Sequence, residues 1–277
     1  IVITGGSMGI GRAVAEECVR QGARVIIVAR NKVSLAQALA ELNRKSDKVN
    51  LSYSLDVGDL QSVISFAAWV RSSCGTVQGL VNCAGVYGPV GALTKISMEE
   101  FTSAIQINFL GTVYMCHAIV PVLSSEKRKK IVSFSGGGAA SPFPNYTAYA
   151  ASKIALVRFT ENLALELAGD NCDVNCVAPG FVNTRLHDET LVAGPEKAGM
   201  SFFESTKKQI ESGGVPASKA AELTTFLLSE ASDGITGKFI SAPWDPWQDR
   251  QFQERLRTDK DFATLRRIDD KVFFKKT

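Results

Sequence analysis

Seven short apolar runs, at residues 1–4, 24–29, 49–55, 79–82, 130–134, 173–177 and 238–240, alternate with longer stretches of mixed polarity as far as about residue 242. The runs have strand length and are rich in Val and Ile. The stretches between them carry helical apolar spacing, at 10–21, 32–42, 60–72, 97–123, 149–167 and 218–229, several opening near a Ser, Asp or Thr. A strand that is apolar throughout must be covered on both faces, and strands joined through helices run parallel, by right-handed crossovers. The alternation therefore predicts an α/β fold, a doubly wound parallel sheet with helices on both faces. No Pro- or Gly-rich linker, repeat or low-complexity segment divides it. Residues 1–242 are read as one domain and 243–277 as a C-terminal extension.

Composition agrees with that reading and removes several others. At 277 residues, 45% hydrophobic and 21% charged, the chain can bury a large core, which excludes a disordered or fibrous protein. The net charge of +3 is too balanced to make nucleic acid a default partner, and the excess sits in 249–277, with nine basic and six acidic residues. Cys18, Cys74, Cys83, Cys116, Cys172 and Cys176 lie among apolar residues without paired CxxC spacing. They read as reduced thiols of a cytoplasmic protein. With only His117 and His187 available, no metal site is expected. The uncharged stretch 105–125 has the length of a membrane span but contains Gln106, Asn108, Thr112, His117 and Pro121, so a buried helix is expected and a membrane is not. No signal-peptide pattern precedes the first run, and the opening reads as truncated.

The first run leads into Thr4-Gly5-Gly6-Ser7-Met8-Gly9-Ile10-Gly11 and then a helix. Glycines at a strand-to-helix turn let backbone N–H groups approach a pyrophosphate, whose charge the helix N-terminus favours. The fold class is thus a Rossmann-type sheet carrying a dinucleotide. Tyr149 and Lys153 are four apart in a helical stretch and share a face, so the ammonium can favour phenolate and make the phenol a useful acid and base near neutral pH.

The TGxxxGIG spacing resembles that of the short-chain dehydrogenase/reductase family. Asn82-Cys83-Ala84-Gly85 is similar to its NNAG motif, with Cys83 replacing the second Asn. Tyr149-Ala150-Ala151-Ser152-Lys153 resembles YxxxK, and Pro179-Gly180-Phe181-Val182-Asn183-Thr184 resembles PGxxxT. Asn108 stands where that family has a helix-kinking Asn. By resemblance Tyr149 donates the proton to a carbonyl, Lys153 also holds the nicotinamide ribose, and Asn108 belongs to the catalytic set. The cofactor-binding set is Gly5, Ser7, Gly9, Ile10, Gly11, Arg30, Asp56, Val57, Asn82, Ala84, Gly85, Tyr149, Lys153, Pro179, Gly180, Val182 and Thr184. Within it Asp56 and Val57 flank the adenine, Thr184 binds the carboxamide and Val182 the nicotinamide edge. At the end of the second run, Val28-Ala29-Arg30-Asn31 offers no acid for a ribose 2′-OH, while Arg30 can clamp a 2′-phosphate. NADP(H) is expected over NAD(H).

The family also needs a Ser thirteen residues before the Tyr, which here is Gly136. The nearest Ser is Ser135, and a one-residue insertion in the Gly136-Gly137-Gly138 loop would bring it to the reacting oxygen, with Ser133 and Ser141 as alternatives. Phe143, Tyr146, Phe181, Phe202 and Phe203 can line an apolar substrate slot, whereas Asn145, Arg185, His187 and Lys197 suit a polar or anionic substrate. Trp244 and Trp247, set between prolines, are expected to anchor the tail. Phe252, Leu256, Phe262, Leu265, Ile268, Val272 and Phe273 form an apolar stripe for docking, and the basic end at 271–276 is too short to hold a membrane. The expected function is an NADP(H)-dependent carbonyl reductase or secondary-alcohol dehydrogenase acting on a small molecule. A sugar or nucleotide-sugar oxidoreductase and a non-catalytic dinucleotide sensor are the alternatives. By resemblance, the apolar helices at 105–123 and 151–167 imply a homodimer or homotetramer.

Overall fold

A computed structural model of the chain describes residues 1–267. The elements follow the expected alternation: β1 (Val2–Thr4), α1 (Gly9–Arg20), β2 (Ile26–Ala29), α2 (Lys32–Arg44), β3 (Leu51–Ser54), α3 (Leu60–Cys74), β4 (Gly79–Asn82), α4 (Met98–Ile105), α5 (Gly111–Ile119), β5 (Lys129–Phe134), α6 (Thr147–Glu166) and β6 (Cys172–Ala178). After them come α7 (Arg185–Ala198), α8 (Met200–Glu211), α9 (Ala217–Leu228), β7 (Phe239–Ser241) and α10 (Arg250–Thr258). All seven strands pair in parallel, in the order β3-β2-β1-β4-β5-β6-β7. Neighbouring residues on a strand feed opposite layers. Ile3 joins a core built with α1, α2 and α9, and Val2 joins one built with α3, α5 and α6. The order reverses between β1 and β4, and a crevice opens there beyond the strands' carboxyl ends.

Three departures from the expected elements matter for the site. The helix expected over 97–123 is broken by a π turn at Gln106–Leu110. Its cause is Asn108, whose side chain reaches sideways to accept from Val86 N and donate to Val86 O, both at 2.8 Å. By length and composition Met98–Val122 could cross a membrane, but Met115, Cys116 and Ile119 of α5 are buried in the core beside α3. Secondly, α7 and α8 had no expected counterpart. Gly194, at φ +75, Pro195 and Gly199, at φ +85, interrupt their pattern.

Thirdly, only half of the tryptophan pair is an anchor. Trp247 is buried beside Phe226, with its indole N–H donating to Ala242 O, while Trp244 is 73% exposed. Beyond it, Asp249 caps α10, and Leu256, Phe252 and Phe262 join the core of the main body. The tail then runs along β7. The two N–H groups of β7 that turn away from β6 are taken by the chain's own tail, Phe239 N by Ala263 O at 2.8 Å and Ser241 N by Asp245 Oδ2 at 2.7 Å. Leu265 N donates to Glu161 of α6. Of the expected apolar stripe, Ile268, Val272 and Phe273 lie outside the described residues, as does the basic end at 271–276.

Candidate active site

The turn after β1 can be made only with glycine. A Cβ on Gly11 would lie 2.4 Å from Gly5 O, and one on Gly5, at φ +67, would lie 3.0 Å from Ala84 N. The turn is thereby pressed against the loop after β4, which Thr4 also holds, its hydroxyl accepting from Cys83 N and Ala84 N. The space left open is a cavity of about 430 Å³, within the range of small-molecule sites. Gly5, Ser7, Gly9, Ile10, Gly11, Arg30, Asp56, Val57, Ala84, Gly85 and Thr184 line it, as the dinucleotide reading requires. Met8, Asn31 and Cys83, which lie in the quoted motifs but outside the expected binding set, line it too, as do Leu55, Val86, Ile107 and Leu186, which no motif flagged. With a bare-backbone turn at a helix N-terminus, the lining fits a dinucleotide.

Six other residues of the expected binding set lie behind this lining or beside it. Asn82 is buried, donating to Ser133 Oγ and Cys116 Sγ. Gly180, at φ +76, packs on Pro243, with Pro179 before it and Val182 buried. Lys153 stands directly behind the wall, since a Cβ on Gly85 would be 3.5 Å from its Nζ. Its chain neighbour on the helix face, Tyr149, packs edge-on against Tyr87, with ring centroids 4.9 Å apart. Arg30 is at the open end, its side chain 56% exposed and 3.7 Å from the Asp56 carboxylate. At that distance and exposure the pair is weak, which leaves the guanidinium available to a phosphate.

Tyr149 and Lys153 do share a face of α6, but their electrostatics differ from the expectation. The Lys153 ammonium is spent on Phe134 O at 2.9 Å and lies 5.5 Å from the centre of the Tyr149 ring. Burial pushes the Tyr149 phenol up and the Lys153 ammonium down. In this state burial favours the neutral phenol and the neutral amine, the reverse of the expected push toward phenolate. The Asn108 side chain is used entirely within the protein, clamping Val86 and donating to Ser152 Oγ at 3.0 Å. Ser152 Oγ in turn donates to Tyr149 O.

The expected insertion is not there. Ser135 is 2% exposed, and its hydroxyl donates to Lys153 O at 2.9 Å, inside the β5–α6 interface. Ser133 is buried as well and accepts from Asn82, and Ser141 is exposed. The residue that meets the Tyr149 hydroxyl is Gly136: a Cβ built there would fall 2.5 Å from Tyr149 Oη. The count of thirteen already pointed to it.

Above the tyrosine, Tyr87, Phe143, Tyr146, Leu186, Phe202 and Phe203 gather into one apolar cluster. Phe181 instead stacks on His187, with ring centroids 3.7 Å apart. His187 Nδ1 is 3.0 Å from Tyr87 Oη, and burial lowers its pKa to about 4, so the ring is neutral at ordinary pH. Tyr146 Oη donates to Thr190 Oγ1 at 2.9 Å. These bonds fasten α7 over the site. Outside α7, a second cavity of about 810 Å³ is lined by charged residues of both signs, among them Lys95, Glu100, Arg185, Asp188, Glu189 and Lys197, and by Asn145. Among the described residues no group of His, Cys, Asp and Glu could hold a metal ion.

The sequence model of the short chain dehydrogenase family matches residues 1–192. The chain is 35% identical over 223 residues to 3-ketodihydrosphingosine reductase of Bos taurus, covering 74% of this chain and 67% of that one. It is 32% identical over 241 residues to a 3-oxoacyl-(acyl-carrier-protein) reductase of Thermotoga maritima, covering 86% and 94%. In fold it is similar to an NAD+-bound xylitol dehydrogenase, with a TM-score of 0.80 at 23% identity over 87% of this chain and 95% of that one. An actinorhodin polyketide ketoreductase with NADPH gives 0.77 at 24% identity, covering 87% and 94%.

Proposed function

The chain belongs to the short-chain dehydrogenase family, and we propose that this NAD(P)-dependent oxidoreductase is an NADP(H)-dependent carbonyl reductase or secondary-alcohol dehydrogenase. The observation that carries the reading is Lys153 behind the wall of a glycine-turned cavity, its Nζ 3.5 Å from where a Cβ on Gly85 would stand, with Tyr149 on the same face of α6. Gly5, Ser7, Gly9, Ile10 and Gly11 would hold a pyrophosphate, Asp56 and Val57 the adenine end, and Thr184 the nicotinamide end. When bound, such a cofactor supplies or accepts a hydride. The protein supplies the proton. Tyr149, kept protonated by burial, gives its Oη proton to the substrate oxygen as the carbonyl carbon is reduced, and takes one back from an alcohol in the reverse direction. Lys153 stands near enough to stabilise the phenolate left behind once it is released from Phe134 O.

Arg30 and the lack of an acid in the stretch Val28-Ala29-Arg30-Asn31 at the end of β2 support NADP(H). Binding measured by fluorescence titration should favour NADPH over NADH by at least tenfold, about 1.4 kcal/mol, and Arg30→Ala should erase the difference. Equal affinities in the unaltered protein would count against the assignment. The apolar cluster around Tyr146 and Phe202 supports a carbonyl compound with an apolar body. The charged second cavity favours a sugar or nucleotide sugar as the competing substrate class. NADPH oxidation with ketones, acyl thioesters and keto sugars separates the two. The exposed Ile154 and Leu165 on α6 support assembly into a homodimer or homotetramer.

A further inference from the structure

We infer that the second cavity is a substrate subsite, and that Arg185, where it meets the cofactor cavity, selects a carbonyl compound bearing an oxyanion, a carboxylate or a phosphate. This rests on the reading of the chain as a carbonyl reductase and adds the substrate's charge to it. Arg185 opens α7 and lines both cavities. The two spaces are also joined through the apolar cluster around Tyr149. Leu186 belongs to that cluster and to the wall of the cofactor cavity, and Val90 belongs to it and to the wall of the second cavity. A substrate whose carbonyl is presented to Tyr149 therefore borders both.

The wall of the second cavity is held in place from both sides. Gly91 N donates to Asn145 O at 2.8 Å, which ties the loop after β4 to the turn before α6. Asn145 makes that turn at φ +67, a left-handed conformation that Asn adopts more readily than most residues. Pro89 and Gly91 are buried in the same wall. The space measures about 810 Å³ against about 430 Å³ for the cofactor cavity, so it has room for far more than a carbonyl group.

Three bases and four acids line the second cavity, so its wall as a whole selects neither sign. The position of Arg185 does. Among the described residues Arg185 is the charged group common to both walls, while Glu100, Asp188, Glu189 and Glu196 line the second alone. The part of a substrate next to its carbonyl thus meets a cation. Asp188 and Glu189 stand three and four places along the helix, the spacing at which side chains pair, yet among the described residues Arg185 forms no ion pair or side-chain hydrogen bond. Burial raises the Glu189 carboxyl and Arg185 draws it down from a distance. By contrast Arg12, Arg128 and Arg158 are each held by a carboxylate. A guanidinium left unpaired in a cavity wall keeps its planar fork of donors for a ligand, and carboxylate and phosphate match that fork.

The experiment uses the full chain with NADPH and ketones in matched pairs: keto acids beside their primary amides, and keto phosphates beside the corresponding keto alcohols. In at least one pair the parent should favour the anionic member by about tenfold or more in kcat/KM, and the pair that shows it tells carboxylate from phosphate. Arg185→Gln should bring that ratio to near one by raising KM for the anion about 10- to 100-fold, the loss expected for a charge-assisted contact, with kcat within about threefold. Arg185→Lys, which keeps the charge without the fork, should recover part of the preference. Arg71→Gln, at an exposed arginine that lines neither cavity, should keep the parent's ratio. A ratio unmoved in Arg185→Gln, or a parent without preference for an anionic member, overturns the inference. So does a loss of about tenfold in NADPH affinity with the ratio intact, which would give Arg185 to the cofactor. If the parent reduces no ketone at all, the functional reading fails, and the subsite is read by binding. Inorganic phosphate and succinate are then titrated by calorimetry into the NADPH-bound parent and Arg185→Gln. Heat in the parent that is lost in the variant upholds the subsite; no heat in the parent, or equal heat in both, overturns it.

Discussion

At the end of β5 the Ser135 side chain turns inward, and its single proton goes to a backbone carbonyl of α6. Ser135→Ala should therefore leave that carbonyl without its partner, costing about 1–3 kcal/mol in a denaturant titration, while kcat stays within about threefold. A loss of 100-fold in kcat with unchanged stability would restore the role of substrate donor to Ser135. Tyr149, Lys153 and the glycines of the first turn could be read from the sequence because each is recognised by spacing within one element, and an element keeps its spacing. Ser135 and Gly136 could not be told apart in that way. They sit where strand becomes loop, and on extended backbone adjacent side chains leave in opposite directions, so an error of one residue reverses the direction. The phenol departs from the expectation because spacing does not show burial: sequence places an ammonium near a phenol, but neither the burial of both groups nor the Phe134 carbonyl that the ammonium meets.

Among the elements, α7 was hidden from sequence by Gly194 and Pro195, yet it covers the site. What holds it there is tertiary: the His187 to Tyr87 and Tyr146 to Thr190 bonds join it to the loops after β4 and β5. Bonds between residues 100 and 44 apart leave no local pattern to read. They do give the element a pH dependence. Burial lowers the His187 pKa to about 4 from an ordinary 6.5, so the closed arrangement favours the neutral ring. Its contribution is complete above 6.5, fades as the pH falls, and is gone by about 4, with an upper bound of about 3 kcal/mol. Amide exchange along residues 185–198 should quicken between pH 7 and pH 4.5 relative to the core strands. Burial also raises the Glu189 carboxyl on the same helix, so the share of His187 is the portion lost in His187→Gln. An unaltered profile in that variant would remove His187 from the account.

For the molecule as a whole, the doubly wound sheet was legible from alternation alone, because strands that are apolar on both faces admit few arrangements. The tail's path was not, since nothing in a strand of three residues says what will lie beside it. Assembly is the property of this scale that remains to be measured. Leu165 on α6 is 79% exposed and Ile154 is uncovered on the same helix, so light scattering at micromolar concentration should give at least twice 29.8 kDa. A monomer mass would reject the assembly proposed above. The tail limits the form such an assembly can take. A parallel sheet has two edges, and open-ended growth of strand on strand needs both of them, one to accept and one to offer. Here the outward N–H groups of Phe239 and Ser241 are already taken by Ala263 and Asp245. If the β3 edges of two copies met, the join would be complete at two, with a sealed β7 at either end and nowhere for a third copy to add. The segment after the last strand thus works as a chain terminator, and a fibre built on this sheet is closed off before it can begin.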